Sequence, residues 1–261
     1  MTSSDSIHSQ GSKELSMSSN EDVGRIHTTG ENNQFIIIGH RKYLRSELME
    51  AFGGTLNPGL SPPPTHGFAN PSPLGLTSFA LTTFVLSMYN ARAMGITHTN
   101  AVVGLTAFYG GAVQFLAGVW EIMVGNTFGG TAFCSYGAFW LSYMAINIEG
   151  FGIAAAYGDD SEQLGNAVGF FLLGWGLFTA MLVLCTMKST VGLFSLFFTL
   201  TLTFLLLAGG EFTGKVGVTR AGGVVGVITA MLGFYNGFAG TANHQNSYFV
   251  PHPMPLTRTK K

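Results

Sequence analysis

Apolar residues fall into runs of bilayer length, separated by short polar breaks. The first run, PSPLGLTSFALTTFVLSMYNA, covers residues 71–91, and others follow near 101–124, 128–148, 165–187, 190–209 and 220–243. About 20 helical residues cross the roughly 30 Å hydrocarbon core of a bilayer. The pattern therefore predicts an all-α membrane protein with six transmembrane helices. The longest connection, 149–164, holds Glu149, Asp159, Asp160 and Glu162. An even number of spans puts both ends of the chain on one side. Arg41, Lys42, Arg45, Lys188, Arg258, Lys260 and Lys261 all fall on that side, and cationic residues favour the cytoplasm. Both termini are expected to be cytoplasmic and the 149–164 connection external, although Arg92, Lys215 and Arg220 then lie outside too.

The flanks read differently. Residues 1–34 are rich in Ser, Thr, Asn and Glu. They hold too little apolar surface to fold, so a disordered cytoplasmic tail is expected. They also lack the apolar core of a cleavable signal peptide, which leaves the first span to direct insertion. Residues 35–68 form a juxtamembrane segment. Within it RKYLRSELMEAF, 41–52, places Leu44, Leu48 and Phe52 on one helical face. That pattern predicts a short helix lying on the membrane surface or packed under the bundle. A Gly/Pro linker, 53–66, follows, then a transport domain over 69–243 and a cytoplasmic tail over 244–261.

Glycines recur at helical spacing. Gly104, Gly111, Gly118 and Gly125 lie seven residues apart, with Ala107, Gln114 and Glu121 three residues after the first three. Gly226, Gly233 and Gly240, joined by Gly222 and Gly237, repeat the device in the last span, and Gly165, Gly169 and Gly176 appear in the fourth. Small residues in such rows let helix backbones approach closely. The spans are expected to form a compact glycine-packed bundle, with seams facing either other helices of the chain or other subunits.

Composition narrows the chemistry. Hydrophobic residues make up 47% of the chain and charged residues 10%, against about 25% charged in soluble domains. With a net charge of −1, nothing points to nucleic acid. Cys134 and Cys185 sit inside apolar runs and read as structural thiols, not as a disulfide. No metal cluster, phosphate loop or nucleophile constellation is visible, so neither an enzyme, a metal nor a cofactor is expected. Passage of a small solute across the membrane fits best. Charges are missing from the middle of every span, which disfavours a polyvalent anion. Hydroxyls and amides could hold a small monovalent one, and Thr83, Gln114 and Ser135 are candidates along its path. Glu121 shares a face with Gln114 and the glycines, so it should point into protein. There it could carry a proton or simply accept a structural hydrogen bond. Asn70 reads as an N-cap before Pro71 in the first helical turn, and Thr127, after Asn126, as a similar cap of the third span. A helix N-terminus also attracts a carboxylate, although capping alone explains these residues.

The residues carry a specific resemblance. NPSPLGLTSFALTTF, 70–84, resembles the NPAPLGL signature of the acetate uptake transporter family, with Ser72 where alanine is usual. FYGGAVQFLAGVWEIMVGNTFGGTAFCSYGAFWLS, 108–142, and GWGLFTAM, 174–181, extend it. IIIGHRKYLRSELMEAFGGTLNPGLSP, 36–62, is similar to the extension of fungal members, called ammonia/acetate transporter outward proteins. The resemblance implies six spans and movement of acetate and other short monocarboxylates, with succinate added in bacterial permeases. It implies a plasma-membrane location, proton coupling in fungal members, and homohexamers with a channel-like path through each protomer. By motif, the narrowest point falls on Phe79, Tyr136 and Leu200. Asn70, Pro71, Pro73, Leu74, Gly75 and Leu76 carry over as the signature entrance. The expected partners are short carboxylates, protons, lipids and other copies of the chain. A sensor of acetate or ammonium, or an ammonium exporter, is the alternative. An aquaporin-like pore fits poorly, since it needs two NPA half-helices and the chain has one such motif.

Overall fold

The computed structural model describes residues 26–51, 68–251 and 254–257. They fall into two compact units that divide between residues 67 and 68.

The first unit is a small antiparallel sheet followed by a helix. Strands β1 (His27–Thr29), β2 (Phe35–Ile38) and β3 (Arg41–Leu44) lie in that order, and α1 covers Arg45–Ala51. Ile38 pairs with Arg41 across a tight turn. Gly39 fills the first turn position at φ 61°, the left-handed conformation that such hairpins require. Lys42 Nζ rests 3.8 Å from the centre of the Phe35 ring. The helix expected over 41–52 thus begins only at Arg45. The aromatic and β-branched run of β2 supplies a partner for 41–44, and strand pairing overrides their helical pattern. Residues 27–33, expected to lack structure, form β1 and a 3-10 turn at Glu31–Asn33. Phe52, the 53–66 linker and residues 1–25 lie outside the described residues.

The second unit is helical. It comprises α2 (Ser72–Asn90), α3 (Val102–Ala107), a π-helical turn (Phe108–Val113), α4 (Gln114–Met123), α5 (Thr127–Asn147), α6 (Ser161–Thr186), α7 (Val191–Thr213) and α8 (Val216–Thr241). Among the described residues four helical stretches are long and apolar enough to cross a membrane: Val102–Met123, which runs through α3 and α4, and α6, α7 and α8. The 19-residue α2 and 21-residue α5 have the length but are less apolar. Their Ser, Thr and Gly residues explain this, and so does their position. Each buries eight residues, against six in the longer α6. They are interior helices that meet protein on most sides.

Helix ends follow local chemistry. Asn126, not Thr127, caps α5, its side chain accepting from Gly129 N. Asp160 caps α6 and Thr190 caps α7 in the same way. The Asp160 cap starts α6 four residues before the expected 165 and draws Glu162 out of the connection into the first helical turn. Asn70 Oδ1 accepts from Ser72 N at 3.0 Å, as expected of a cap.

The most extensive helix pairings are α2 with α8, α6 with α7, α7 with α8, and α4 with α5. The glycine rows make these contacts, within the chain. On α8, a Cβ at Gly223 would overlap the α2 backbone, 2.7 Å from the Asn90 carbonyl carbon, and one at Gly233 would lie 2.9 Å from Ala80 Cβ. Gly226, Gly237 and Gly240 meet Ser87, Thr77 and Pro73 of α2, whereas Gly222 meets Leu207 of α7. Gly169 and Gly176 of α6 face α7. Because backbone cannot yield as a side chain does, Gly223→Leu should destabilise the bundle by about 1–3 kcal/mol or more. A lowered melting temperature of the detergent-purified protein would show it; an unchanged one would mean that α8 is free to slide.

The row in the second span is broken. Gly111 and Gly118 face α5, but Gly104 is exposed and meets nothing within 4 Å. The π-helical turn is the cause. An extra residue of winding rotates the two halves against each other. Before it the buried positions are Val102 and Thr106, within it Gly110 and Gly111, and after it Gln114, Ala117, Gly118 and Glu121.

After α8 the chain returns. Phe249 stacks on Phe238 with ring centres 6.4 Å apart. Val191 N donates to Met254 O at 2.8 Å, and Leu256 N to Ser189 O at 2.9 Å. The segment is thus tied to the α6–α7 junction.

Candidate functional site

Among the cavities of the helical unit, two border the residues expected along the path. The first, about 240 Å³, is bordered by Ser72, Leu76, Gln114, Asn126 and Asn236. The second, about 390 Å³, is bordered by Thr83, Trp140, Tyr143, Thr203 and Glu211. Phe79 and Leu200 border both, and Tyr136 borders the first. The three residues expected at the narrowest point thus line the first cavity from α2, α5 and α7, and Phe79 and Leu200 line the second as well. Their exposures are 5%, 3% and 2% for Phe79, Tyr136 and Leu200.

Aromatic packing and one hydrogen-bond chain hold this point in place. The Phe79 and Tyr136 rings are 5.9 Å apart, and Phe178 meets Tyr136 edge-on at 5.8 Å. The Tyr136 hydroxyl lies 2.9 Å from Thr179 Oγ1, which donates to Trp175 O at 2.7 Å. The phenol is satisfied within the protein, so it offers the cavities mainly its apolar ring.

Most helix hydroxyls bond their own backbone one turn earlier. Thr82 donates to Ser78 O at 2.8 Å, Thr203 to Thr199 O at 2.9 Å and Thr229 to Val225 O at 3.0 Å. This is the ordinary behaviour of Ser and Thr in helices. Among the described residues four buried side-chain polar atoms have no partner: Thr83 Oγ1, Gln114 Nε2 and Oε1, and Trp140 Nε1. Gln114 is fully buried and borders the first cavity, whereas Thr83 and Trp140 border the second. Leaving such groups unpaired costs about 1–3 kcal/mol each. A fold selected for stability alone would not collect all of them on two cavity walls.

Glu121 is 1% exposed and borders neither cavity. Ser72 Oγ donates to its Oε1, and Asn126 Nδ2 donates to its Oε2 at 2.6 Å. Because Ser72 and Asn126 do border the first cavity, Glu121 stands behind that wall and ties the start of α2 to the α4–α5 turn. Ser72, where the related signature has alanine, supplies one of the two bonds. Ser135 is half-buried and borders neither cavity. It lies one residue before Tyr136 on α5, about 100° around the helix from the ring that faces the path.

The signature residues divide their work. Leu76 borders the first cavity. A Cβ at Gly75 would lie 2.5 Å from the Phe133 ring, and Pro73 packs on Gly240. Asn70 and Leu74 are exposed and Pro71 half-buried, and none of the three borders a cavity. Trp140 and Asn236 were not among the expected path residues. The signal for Trp140 is its place four residues after Tyr136, on the same face of α5.

Comparison with known proteins bears on this site. A family model described as "GPR1/FUN34/yaaH family" matches residues 52–258. "Ammonia transport outward protein 2" of Saccharomyces cerevisiae is 62% identical over 243 residues, 93% of this chain and 86% of the relative. "Acetate permease A" of Emericella nidulans is 45% identical over 217 residues, 79% of this chain and 73% of the relative. A solved structure titled "Structure of the bacterial acetate channel SatP" is similar with a TM-score of 0.62 and 35% identity, covering 69% of this chain and 96% of that one. Matched through nearly all of its helical unit and along most of these relatives' length, the chain belongs to the GPR1/FUN34/yaaH family.

Proposed function

We propose that the protein passes acetate and other short monocarboxylates across a membrane, through the two cavities and the Phe79–Tyr136–Leu200 constriction between them. The observation that carries this reading is the gathering of every unpartnered buried side-chain polar atom among the described residues on those two cavity walls. The hydroxyl, the amide N–H group and the indole N–H among them are neutral donors, which can replace part of the water around one carboxylate. The substrate rests on the names of two relatives, an acetate permease and an acetate channel. The reading includes six membrane crossings, with the interior α2 and α5 shielded from lipid by the other helices. It includes a hexamer in the plasma membrane with both termini cytoplasmic, and substrate movement coupled to protons. Labelled acetate uptake by purified protein in liposomes, with and without a pH gradient, tests it. Protein-dependent uptake is expected; none at all would sink the reading.

A second reading, ammonium export or sensing, has the name of the ammonia transport outward relative behind it. The same liposomes loaded with ammonium separate the two.

Coupling would involve Glu121. In Glu121→Gln the amide oxygen can still accept from Asn126 and the amide nitrogen can donate to Ser72, so both ties survive while the charge is lost. Acetate uptake by this variant should respond more weakly to a pH gradient. A folded variant with the parent's response would leave Glu121 as a structural tie alone.

A further inference from the structure

We infer that the second cavity holds a carboxylate-binding station made by the Trp140 indole N–H and the Thr83 hydroxyl, one helical turn beyond the constriction. The inference rests on the carboxylate path proposed above and assigns its next stopping point.

The two groups stand in the same relation to the constriction. Thr83 follows Phe79 by four residues on α2, and Trp140 follows Tyr136 by four on α5. Four residues of α-helix rise about 6 Å and return to nearly the same face. Each interior helix therefore presents an aromatic ring at the narrow point and, one turn on, a polar atom without a partner. Both side chains are more than nine-tenths buried, at 5% and 3% exposure, and both border the same cavity.

Thr83 is not idle for lack of a local option. Thr82, next to Thr83, donates to the carbonyl one turn before it. Thr83 Oγ1 makes no such bond. The indole is held by Phe139, with ring centres 4.9 Å apart, and by Tyr143 at 6.4 Å, so its N–H direction is set by packing.

The chemistry of the pair selects a ligand. An indole N–H only donates, and a hydroxyl free of other bonds donates as well. Two donors suit a carboxylate, whose two oxygens both accept. They suit ammonium poorly, because the indole has nothing to offer a cation's N–H groups at its nitrogen. Gln114, on the other side of the constriction, both donates and accepts. The carboxylate on the second cavity, Glu211, lies eleven residues along α7 from Leu200, about 16 Å of helix and so about 10 Å along the axis from a station one turn beyond the constriction. A cavity of about 390 Å³ is of ordinary ligand-site size.

The test is the acetate dependence of uptake by full-length protein in liposomes, with Thr83→Val, Trp140→Phe and the double variant. Valine keeps the shape of threonine without its hydroxyl. Each single change should raise the half-saturating acetate concentration about tenfold, since a hydrogen bond to a charged group is lost, with a smaller effect on the maximal rate. The double variant should lose less than the product of the two, because both donors hold one anion. Replacing Trp140 by benzothienylalanine, which keeps the ring shape and removes the N–H, should repeat the loss even if Trp140→Phe folds poorly. Parent-like half-saturation in Thr83→Val and in the benzothienylalanine protein would overturn the station while leaving the acetate path standing. A parent protein that moves no acetate would instead overturn the path itself. Chloride at the same concentration should not compete with acetate; equal competition would overturn the carboxylate assignment.

Discussion

Trimming Leu200 to alanine should let lactate pass at a rate approaching that of acetate. Leu200 borders both cavities and is 2% exposed. Acetate carries a single methyl group beside its carboxylate, and lactate adds a carbon and a hydroxyl. In a dense core, Leu→Ala costs about 2–5 kcal/mol, much of it for the void left behind. Here the removed atoms separate two spaces that already exist. Their loss joins the cavities, so the larger effect should fall on selectivity. The measurement is uptake of lactate and acetate at matched protein amount. An abundant variant with the parent's lactate-to-acetate ratio would remove Leu200 from the size filter. A variant that merely fails to accumulate would mark it as an ordinary core leucine.

Gln114→Leu should give a protein that is more stable and transports far less. The parent buries both amide atoms without partners. An apolar side chain of similar size removes that penalty, so a stability gain of about 1–3 kcal/mol is expected. The same change strips the first cavity of an amide that borders it together with Leu76 and Asn236, and acetate uptake should fall at least tenfold, on the order of one lost hydrogen bond to a charged group. Melting temperature and uptake should therefore move in opposite directions. If both fall together, Gln114 serves packing.

Hydropathy alone located the helical segments to within a few residues, because length and apolar runs are local properties. It also treated them as equivalent, which they are not. The Thr and Ser residues that lower the hydropathy of α2 are those of an interior helix, and only packing reveals that. The glycine row of the second span was legible as a row, but the π-helical turn at 108–113 splits it. Nothing in a seven-residue spacing announces an extra residue of winding. Phe79, Tyr136 and Leu200 were reachable through motif resemblance, and all three border the first cavity. Ser135 failed because a neighbour in sequence points elsewhere on a helix. Trp140 was missed because an indole in a membrane helix looks like packing until its nitrogen is found without an acceptor. In the first unit, β3 was hidden by an amphipathic pattern that both a strand and a helix can satisfy over four residues.

The pairing of α2 with α8 also sets an order of assembly. These helices share the most extensive contact of the unit, yet residues 91–215 lie between them. During synthesis α2 is made long before its partner exists. It is also among the less apolar helices, and until α8 is made its Thr77 and Ser87, which meet Gly237 and Gly226 of α8, lack that cover. Completion of α8 shields them. A chain stopped before α8 should therefore present α2 to membrane quality control and be degraded, however well its other helices have formed.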